Sequence, residues 1–354
     1  MTQTLKLVMG QLNFLVGDID GNTEIVIQSS RDAIEEHAAD MIVFPELTLT
    51  GYPMEDLLLR PSLRNRINKA IDKILNANLA ITIVFGYPRV SDSKLYNALG
   101  VIYHGKLLGE YHKQCLPNYQ VFDERRYFEP GLEACIVKIK NIRCAFTVCE
   151  DLWQEKPVRD SKLLGAQMLV NINASPFHIN KSKERQDLLL KRCREGNFPI
   201  VYVNLVGGQD ELVFDGGSMV VDAKSQKLFQ APNFTEDLYP IALSITAEGD
   251  IELHSQLIAP IVSVEESVYQ SLVLGVKDYV RKNKFAGVVL GLSGGIDSAL
   301  TLAIAVDALG AENVQAVMMP FEYTSKLSLD AAAKQAGRLN VKYTVIPINE
   351  IYRA

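Results

Sequence analysis

Short apolar segments that alternate with amphipathic helical patterns are what most constrain the fold of this 354-residue chain. Residues 5–13, 41–44 and 79–85 are apolar and rich in β-branched side chains, which predicts buried strands. Residues 22–39 and the stretch that begins at Ser62 repeat apolar residues at helical spacing. Further strands are predicted at 95–103, 134–139, 142–148, 168–173, 199–205 and 218–222, and further helices at 157–166 and 182–195. The alternation predicts a layered α/β fold with most of its sheet buried.

A second strand–helix series follows a predicted linker at 251–262, so the sequence divides into domains at 1–250 and 263–354. The second domain begins with a long amphipathic helix, predicted from Val264 to about Lys284. After it, strands are predicted at 287–292, 314–319 and 341–347, and helices at 296–309 and 325–339. This βαβαβ order is the beginning of a doubly wound parallel sheet.

The charge and cysteine content argue against a nucleic-acid-binding, membrane-binding or disulfide-rich protein. The chain has 36 Lys and Arg against 42 Asp and Glu, a net charge of −6, which gives no support for a nucleic-acid backbone or an anionic membrane as the main partner. No apolar run reaches the ~18 residues of a membrane helix, and the first residues show no secretory signal. The cysteines are odd in number and form no CxxC pair, which favours a reducing cytoplasm over a disulfide framework or a zinc ribbon and leaves room for one working thiol. They are Cys115, Cys135, Cys144, Cys149 and Cys193.

One glycine-rich motif lies between the predicted strand at 287–292 and the predicted helix at 296–309. Its glycines let backbone N–H groups approach a phosphate, and the helix N-terminus adds partial positive charge. Ser293 and Ser298 offer hydroxyls to phosphate oxygens, and Asp297 is placed to hold Mg²⁺ against them. The motif lacks the Gly-Lys-Ser/Thr end of a P-loop and the GxGxxG spacing of a dinucleotide site. It reads Gly291-Leu292-Ser293-Gly294-Gly295-Ile296-Asp297-Ser298.

The complete octet at a strand–helix junction resembles the pyrophosphate loop of the ATP-pyrophosphatase family, which has an adenine nucleotide hydrolase-like fold. The resemblance implies that the octet binds ATP and that Mg²⁺ assists as an activator. It also implies a reaction in which a carbonyl oxygen is adenylated, pyrophosphate is released, and an amine or ammonia displaces AMP.

Three polar residues each follow a predicted strand of the first domain. Glu46 lies in 44–53, Lys113 in 111–117 and Cys149 in 147–153. Taken singly, each has a structural explanation as a solvated carboxylate, a surface lysine or an inert core thiol. Hydrolysis of an amide, however, needs an activated nucleophile, a proton shuttle and a stabiliser of the developing oxyanion.

Together the three segments resemble the Glu–Lys–Cys triad of the nitrilase (carbon–nitrogen hydrolase) superfamily, over residues 3–250. The resemblance implies a four-layer α-β-β-α sandwich and a site without a cofactor. Within it, Cys149 attacks the amide carbon, Glu46 is the general base, and Lys113 stabilises the tetrahedral oxyanion. Glu124 corresponds to a second glutamate that orients the triad.

The residues that follow the nucleophile bear on its ionisation. Glu150 and Asp151 place two anions beside Cys149, and both are expected to raise the pKa of the thiol. A nearby cation such as Lys113 is therefore needed if the thiol is to ionise. In glutamine-dependent relatives of the superfamily, the segments around Tyr119, Ser175 and Lys181 line the substrate pocket, which implies a binding role for these residues here.

The two halves in this order resemble the glutamine-dependent NAD⁺ synthetases. The resemblance implies that the first domain releases ammonia from glutamine and that the second uses ATP and Mg²⁺ to convert deamido-NAD⁺ to NAD⁺. It also implies a cytoplasmic homo-oligomer, a dimer or larger, paired through the outer helical layers. Only 92 residues follow the linker, so we expect a complete amidase half and an incomplete synthetase half in this chain.

Two other hypotheses remain open at the level of sequence. The chain is alternatively a stand-alone amidase or nitrilase acting on another small amide, with an inert C-terminal segment. A third hypothesis is a non-catalytic scaffold that keeps the fold, which predicts an unreactive Cys149.

Overall fold

A computed structural model describes residues 4–222, 226–246, 251–254, 258–260 and 262–354. The chain divides into two compact units. The first comprises Met1–Gly207 and Phe214–Ile261, and the second comprises Gly208–Val213 and Val262–Ala354. In the described ranges, no helix has the length and apolar character that crossing a membrane requires.

Most of the strands precede residue 254 and form two large sheets. In chain order they are β1 (Thr4–Gln11), β2 (Met41–Val43), β3 (Thr82–Ser91), β4 (Lys94–Tyr103), β5 (Lys106–His112), β6 (Cys135–Ile139), β7 (Ile142–Val148), β8 (Met168–Asn173), β9 (Ile200–Asn204), β10 (Val206–Gln209), β11 (Leu212–Asp215), β12 (Met219–Val221), β13 (Lys227–Gln230), β14 (Asp237–Ile245) and β15 (Ile251–Leu253). The first sheet has the order β15-β14-β1-β2-β3-β4-β5, and the second has the order β13-β12-β9-β8-β7-β6. Strands β10 and β11 form a separate hairpin.

The direction of the strands brings several strand ends to one edge of each sheet. In the first sheet, β1, β2 and β3 are parallel, β4 is antiparallel to β3, and β5 is antiparallel to β4. The carboxyl ends of β2 and β5 therefore lie at the same edge as the start of β4. In the second sheet, β7, β8 and β9 are parallel, so their carboxyl ends also share an edge.

Helices cover both sheets of the first unit. They are α1 (Ile19–His37), α2 (Pro61–Ala77), α3 (Glu155–Leu163) and α4 (Lys181–Gly196), with short 3₁₀ helices at Glu55–Leu59, Glu124–Arg126 and Cys149–Trp153. Helices α1 and α2 pack together against the first sheet, and α3 and α4 pack together by the second. Pro61 stands at the first position of α2, where its fixed φ suits the helix and its missing N–H costs nothing.

The main core of the first unit lies between the two sheets. Leu7, Met9 and Val84 from the first sheet pack in one cluster with Phe146 and Val170 from the second, all fully buried. A separate cluster fills the space between the second sheet and α3 and α4. The first unit is therefore the four-layer α-β-β-α sandwich that the family resemblance implies.

The second unit contains a parallel three-stranded sheet. Its elements are α5 (Val264–Lys282), β16 (Val288–Gly291), α6 (Ile296–Leu309), β17 (Val314–Met318), α7 (Lys326–Arg338), β18 (Lys342–Val345) and α8 (Asn349–Arg353). The strand order is β16-β17-β18, with parallel pairing throughout, which confirms the predicted βαβαβ series. Apolar residues of α5, α6 and α7 share one core with the strands.

The observed elements differ from the predicted ones in a few places. Strand β14 was not predicted, although it pairs with the whole of β1 in antiparallel register and so extends the first sheet. Within the predicted linker, Ile251–Leu253 form β15, while 255–257 and 261 lie outside the described residues. Helix α3 begins two residues earlier than predicted, at Glu155, and ends at Leu163. Long-range strand pairing explains the missed strands, because periodicity reports local structure alone.

The core between the sheets should dominate the stability of the first unit. We expect Phe146→Ala, which removes a fully buried ring, to lower the free energy of unfolding by about 3–5 kcal/mol in urea denaturation. Leu132→Ala is the control, because Leu132 is 82% exposed and should change the value by less than about 0.5 kcal/mol. Equal effects of the two substitutions would contradict this assignment of the core.

Candidate active site

A buried lysine between two glutamates forms the centre of the candidate site. Lys113 follows β5, and its Nζ donates to Glu46 Oε1 at 2.7 Å and to Glu124 Oε1 at 2.8 Å. All three side chains are at most 5% exposed. Glu46 follows β2, whose carboxyl end shares an edge with that of β5. The direction of the strands thus explains how residues 67 positions apart come to form an ion pair.

The carboxylate of Glu46 is fixed through both of its oxygens. Asn97 Nδ2, on β4, donates to Oε1 at 2.7 Å, and the backbone N–H of Ala174 donates to Oε2 at 3.0 Å. Asn97 lies near the start of β4, and its carbonyl also accepts from the N–H of Lys113 at 2.8 Å. One asparagine therefore holds both members of the Glu46–Lys113 pair.

Glu124 has one bound oxygen and one unbound oxygen. Oε1 accepts from Lys113 and from the hydroxyl of Tyr52 at 3.1 Å, whereas Oε2 is buried and accepts no hydrogen bond from the described residues. Burial, reinforced by Glu46, raises the pKa of Glu124 to about 7, against the opposing effects of Lys113 and Tyr52. Near neutral pH, the carboxylates of Glu46 and Glu124 therefore share the single positive charge of Lys113.

The thiol of Cys149 lies within electrostatic range of Glu46 and Lys113. Burial raises the pKa of Cys149 well above its usual value, Glu46 raises it further, and Lys113 opposes both. Burial would lower the pKa of Lys113, but Glu124 and Glu46 outweigh it and hold that pKa well above the usual value. Cys149 is therefore a protonated thiol beside a charged lysine, and it needs a proton acceptor when it attacks.

The backbone at Cys149 is unusual. Cys149 follows β7 directly, opens the 3₁₀ helix Cys149–Trp153, and has a φ of 43°, in the left-handed region that non-glycine residues rarely adopt. A nucleophile on a sharp turn after a strand presents its side chain beyond the edge of the sheet. Such strain persists only where the surroundings hold the residue in place.

The two residues after Cys149 lie in different surroundings. Glu150 raises the pKa of Cys149, as the sequence predicts. Asp151 is fully buried, and its carboxylate accepts hydrogen bonds from Tyr111 and from the N–H of Val148. Its expected effect on the pKa of the thiol stays a prediction.

Two of the residues predicted to bind substrate lie around Glu150. The hydroxyl of Tyr119 donates to Glu150 Oε2 at 2.9 Å, and both residues line an open cleft of about 840 Å³. Lys181 Nζ lies 4.1 Å from the ring centre of Trp153 and 3.6 Å from Glu184, and its charge lowers the pKa of Glu150 against the effect of burial. The cleft therefore offers a carboxylate, and the ammonium of Lys181 lies within electrostatic range of it.

Ser175, the third predicted binding residue, is buried rather than exposed to the cleft. Its Oγ accepts from Arg185 Nε at 3.1 Å, and its N–H donates to Asn204 at 2.9 Å. Arg185 is 2% exposed, pairs with Asp215 at 2.7 Å, and also donates to the carbonyls of Ser175 and Pro176. A buried guanidinium thus fixes the loop that supplies the Ala174 N–H to Glu46.

Sequence reasoning did not identify Tyr52, Asn97 or Arg185. Tyr52 and Asn97 contact residues far along the chain, and nothing in their local pattern marks them. Arg185 did have a signal, because it falls in line with Leu189 and Cys193 at i, i+4 and i+8 on the buried face of α4. A charged residue on an apolar stripe indicates a paired, buried charge.

The glycine-rich octet connects β16 to α6 in the second unit. Gly294 has a φ of 83°, and a Cβ there would lie 2.2 Å from the carbonyl oxygen of Ser328. The hydroxyls of Ser293 and Ser298 lie 3.0 Å apart, and Ser293 Oγ accepts from the N–H of Gly295 at 3.2 Å. The two hydroxyls are therefore held together at the start of α6.

The remaining members of the octet differ in exposure. Leu292 is buried, whereas Ile296 and Asp297 are exposed in the first turn of α6. No cluster of three or more acidic, histidine or cysteine side chains fit for a metal occurs in the described ranges. A single carboxylate beside a phosphate loop does suit Mg²⁺, which binds through one or two carboxylates and the phosphates of its substrate.

Comparison with known families matches both units. A family model for carbon–nitrogen hydrolases matches residues 6–254, and one for NAD synthases matches residues 268–354. The chain is 41% identical to the glutamine-dependent NAD⁺ synthetase of Aquifex aeolicus, over 99% of this chain and 67% of that protein. It is 40% identical to that of Acinetobacter baylyi, over 99% of this chain and 64% of that protein. The chain thus spans about two thirds of the length of these relatives.

Solved structures give the same result for the fold. The glutamine-dependent NAD⁺ synthetase of Acinetobacter baumannii, solved with ADP, superposes with a TM-score of 0.95 at 41% identity, over 99% of this chain and 66% of that one. An amidase from Nesterenkonia sp. superposes with a TM-score of 0.61 at 22% identity, over 68% of this chain and 89% of that one. At 22% identity, this second likeness concerns the fold alone.

The raised pKa of Glu124 should appear in the pH dependence of stability. Between its ordinary value of 4.5 and about 7, the folded chain holds a proton on Glu124 that the unfolded chain releases. The stabilisation from this proton is present below about pH 4.5 and is lost as the pH rises towards 7. The free energy of unfolding of Glu124→Gln, minus that of the unsubstituted chain, should therefore increase over this range in urea titrations.

The control is Glu133→Gln, because Glu133 is exposed. Its difference from the unsubstituted chain should stay constant with pH. A difference for Glu124→Gln that is flat, or that falls with pH, would contradict the burial of Glu124 as the cause of its shift.

Proposed function

Because the chain belongs to the carbon–nitrogen hydrolase family and, over nearly its whole length, to the glutamine-dependent NAD⁺ synthetases, we propose that its first unit hydrolyses glutamine to glutamate and ammonia. The second unit then serves an ATP-dependent amidation of deamido-NAD⁺ to NAD⁺. The observation that carries the first part is the buried Glu46–Lys113–Glu124 cluster with Cys149 in its field. The match over the whole chain favours this function over a stand-alone amidase.

The proposed reaction begins with attack of Cys149 Sγ on the side-chain amide carbon of glutamine. Glu46 takes the thiol proton as the new C–S bond forms, and the carbonyl π electrons move to the oxygen. Lys113 stabilises that oxyanion, and its charge is assured because its pKa is held high. Glu46 then gives the proton to the amide nitrogen, the C–N bond breaks, and ammonia leaves a glutamyl thioester.

Hydrolysis of the thioester repeats the same proton route. Glu46 takes a proton from water, the hydroxide adds to the thioester carbon, and the C–S bond breaks as the thiolate takes up the proton. Glutamate is released and the thiol of Cys149 is restored. The site does this in a buried environment, where a fixed ammonium interacts with a developing charge more strongly than it would in water.

Recognition of glutamine requires groups for its α-ammonium and α-carboxylate. We assign these to the cleft at Glu150, whose carboxylate accepts from Tyr119 and lies within electrostatic range of the Lys181 ammonium. Ser175 contributes through the loop that it shares with Ala174, since its own hydroxyl accepts from Arg185.

In the second unit, we assign the octet from Gly291 to Ser298 to the phosphates of ATP. The first-turn N–H groups of α6, which no side chain of the described residues caps, and the paired hydroxyls of Ser293 and Ser298 supply donors for phosphate oxygens. Asp297 is the residue that would hold Mg²⁺, which neutralises phosphate charge when bound with the nucleotide. The ADP bound to the Acinetobacter baumannii relative supports a nucleotide site. We also expect a cytoplasmic homo-oligomer, with glutamine, ATP and deamido-NAD⁺ as its small-molecule partners.

Release of ammonia from glutamine tests the first part of the proposal. The purified chain should release ammonia, and Cys149→Ala should lose at least about 10³-fold of kcat/KM, because the covalent route is removed. Cys135→Ala is the matched control. It removes a partly buried thiol at the start of β6, outside the Glu46–Lys113–Glu124 cluster. Full activity of Cys149→Ala would exclude this nucleophile, and hydrolysis of other amides but not glutamine would support the amidase alternative.

Nucleotide binding by the second unit has its own test. Gly294→Ala should weaken ADP binding, measured by calorimetry, at least tenfold, because the new methyl group meets the carbonyl of Ser328 and the residue needs a positive φ. Gly337→Ala in α7 is the control, because its added Cβ meets nothing within 4 Å, and its affinity should be unchanged. Equal affinity of the two variants would exclude the octet as the phosphate site.

A further inference from the structure

Asp151 connects the backbone on both sides of the candidate site. Its Oδ1 accepts from the N–H groups of Gln114 and Cys115, at 3.0 and 2.8 Å. Its Oδ2 accepts from the N–H of Val148 at 3.0 Å and from the hydroxyl of Tyr111 at 2.8 Å. One carboxylate thus joins the loop that begins just after Lys113 to the residue just before Cys149.

The donors to Asp151 lie next to Lys113 and Cys149 in the sequence. Gln114 and Cys115 follow Lys113 directly, and the peptide groups of Lys113 are also held, because its N–H donates to Asn97 and its carbonyl accepts from Gly131, both at 2.8 Å. Val148 precedes Cys149, whose φ of 43° needs support from its surroundings. Asp151 therefore supports both groups that must meet at the reacting carbon.

Asp151 is not placed to contact the substrate or to exchange a proton with it. It is completely buried, and its four donors, all uncharged, occupy both oxygens. Burial raises the pKa of Asp151, and these donors together with the charge of Lys113 oppose that effect. A buried carboxylate is costly to place, and its hydrogen bonds offset the cost only while the donors stay aligned. The arrangement is accordingly sensitive to small displacements of either loop.

We propose that Asp151 is a positioning residue that sets the Cys149 nucleophile in register with the Lys113 ammonium and the Glu46 base. The proposal deepens the proposed glutaminase function and rests on it for the substrate. An asparagine at this position has one acceptor oxygen in place of two. With that oxygen turned to Gln114 and Cys115, its NH₂ group faces the N–H of Val148, so two donors oppose each other next to Cys149.

The first experiment compares Asp151→Asn with the unsubstituted chain in two assays. In glutamine hydrolysis, we expect kcat to fall roughly 10²-fold while KM stays within about threefold, because a misplaced nucleophile affects the reaction more than binding. The second assay measures the rate at which chloroacetamide alkylates Cys149, which is followed by peptide mapping. In Asp151→Asn, this alkylation rate should fall by a similar factor. ADP affinity of the second unit should not change, and circular dichroism should show that the variant is folded.

Two further variants make the test decisive. Asp160→Asn removes a partly exposed carboxylate of α3 that pairs with Lys156, and it should leave kcat and the alkylation rate unchanged. Tyr111→Phe removes one donor to Asp151 but keeps the buried carboxylate and its three N–H partners. It should lower kcat about three- to tenfold with KM unchanged, and it carries the test if Asp151→Asn does not fold.

The outcomes separate the two proposals. Unchanged kcat and alkylation rate in folded Asp151→Asn, or in Tyr111→Phe should Asp151→Asn not fold, would overturn the positioning role. A loss that lies entirely in KM would also overturn it. If the unsubstituted chain does not hydrolyse glutamine but Asp151→Asn still slows alkylation of Cys149, the positioning role stands and the proposed substrate is wrong.

Discussion

The buried ammonium of Lys113 is the interaction on which the candidate site depends. It donates to Glu46 and Glu124 at once, at 2.7 and 2.8 Å, and all three side chains are buried. Removing one partner of such a buried group costs about 3–5 kcal/mol, since the remaining charges are left without compensation. Burial, reinforced by the negative charge of Glu46, raises the pKa of Glu124 to about 7 despite the opposing charge of Lys113.

The two sheets explain how this cluster is placed near Cys149. Lys113, Glu46 and Asn97 come from strand ends that share one edge of the first sheet, whereas Cys149 and Ala174 follow the parallel strands β7 and β8 of the second. The Ala174 N–H donates to Glu46, so a hydrogen bond joins the two sheets at the site itself. The packed core between the sheets keeps the two edges in register, because close-packed interiors resist small displacements.

Much of this architecture could be predicted from sequence, and the rest depends on contacts that periodicity does not report. Strands such as β7 and β8 and helices such as α6 followed from apolar spacing. The grouping of Glu46, Lys113, Glu124 and Cys149 did not follow from spacing. It came from a family resemblance, and the structure brings these residues together. The fixing of Glu46 by Asn97, the burial of Ser175 against Arg185 and the linking role of Asp151 were not predicted, because each depends on partners set by tertiary pairing. The sequence places Asp151 two residues after Cys149, but it does not show that its oxygens accept from backbone N–H groups and from Tyr111.

We propose that Cys149, held neutral beside Glu46 and Lys113, is the group that bonds to the substrate carbon. The most direct test of this role is peptide mapping by mass spectrometry after incubation with a glutamine-analogue electrophile, with glutaminase activity followed in parallel. We expect a single adduct on Cys149, formed in step with the loss of activity and prevented by excess glutamine. Loss of activity with the adduct on another residue, or a folded and active chain in which Cys149 stays unlabelled, would contradict it.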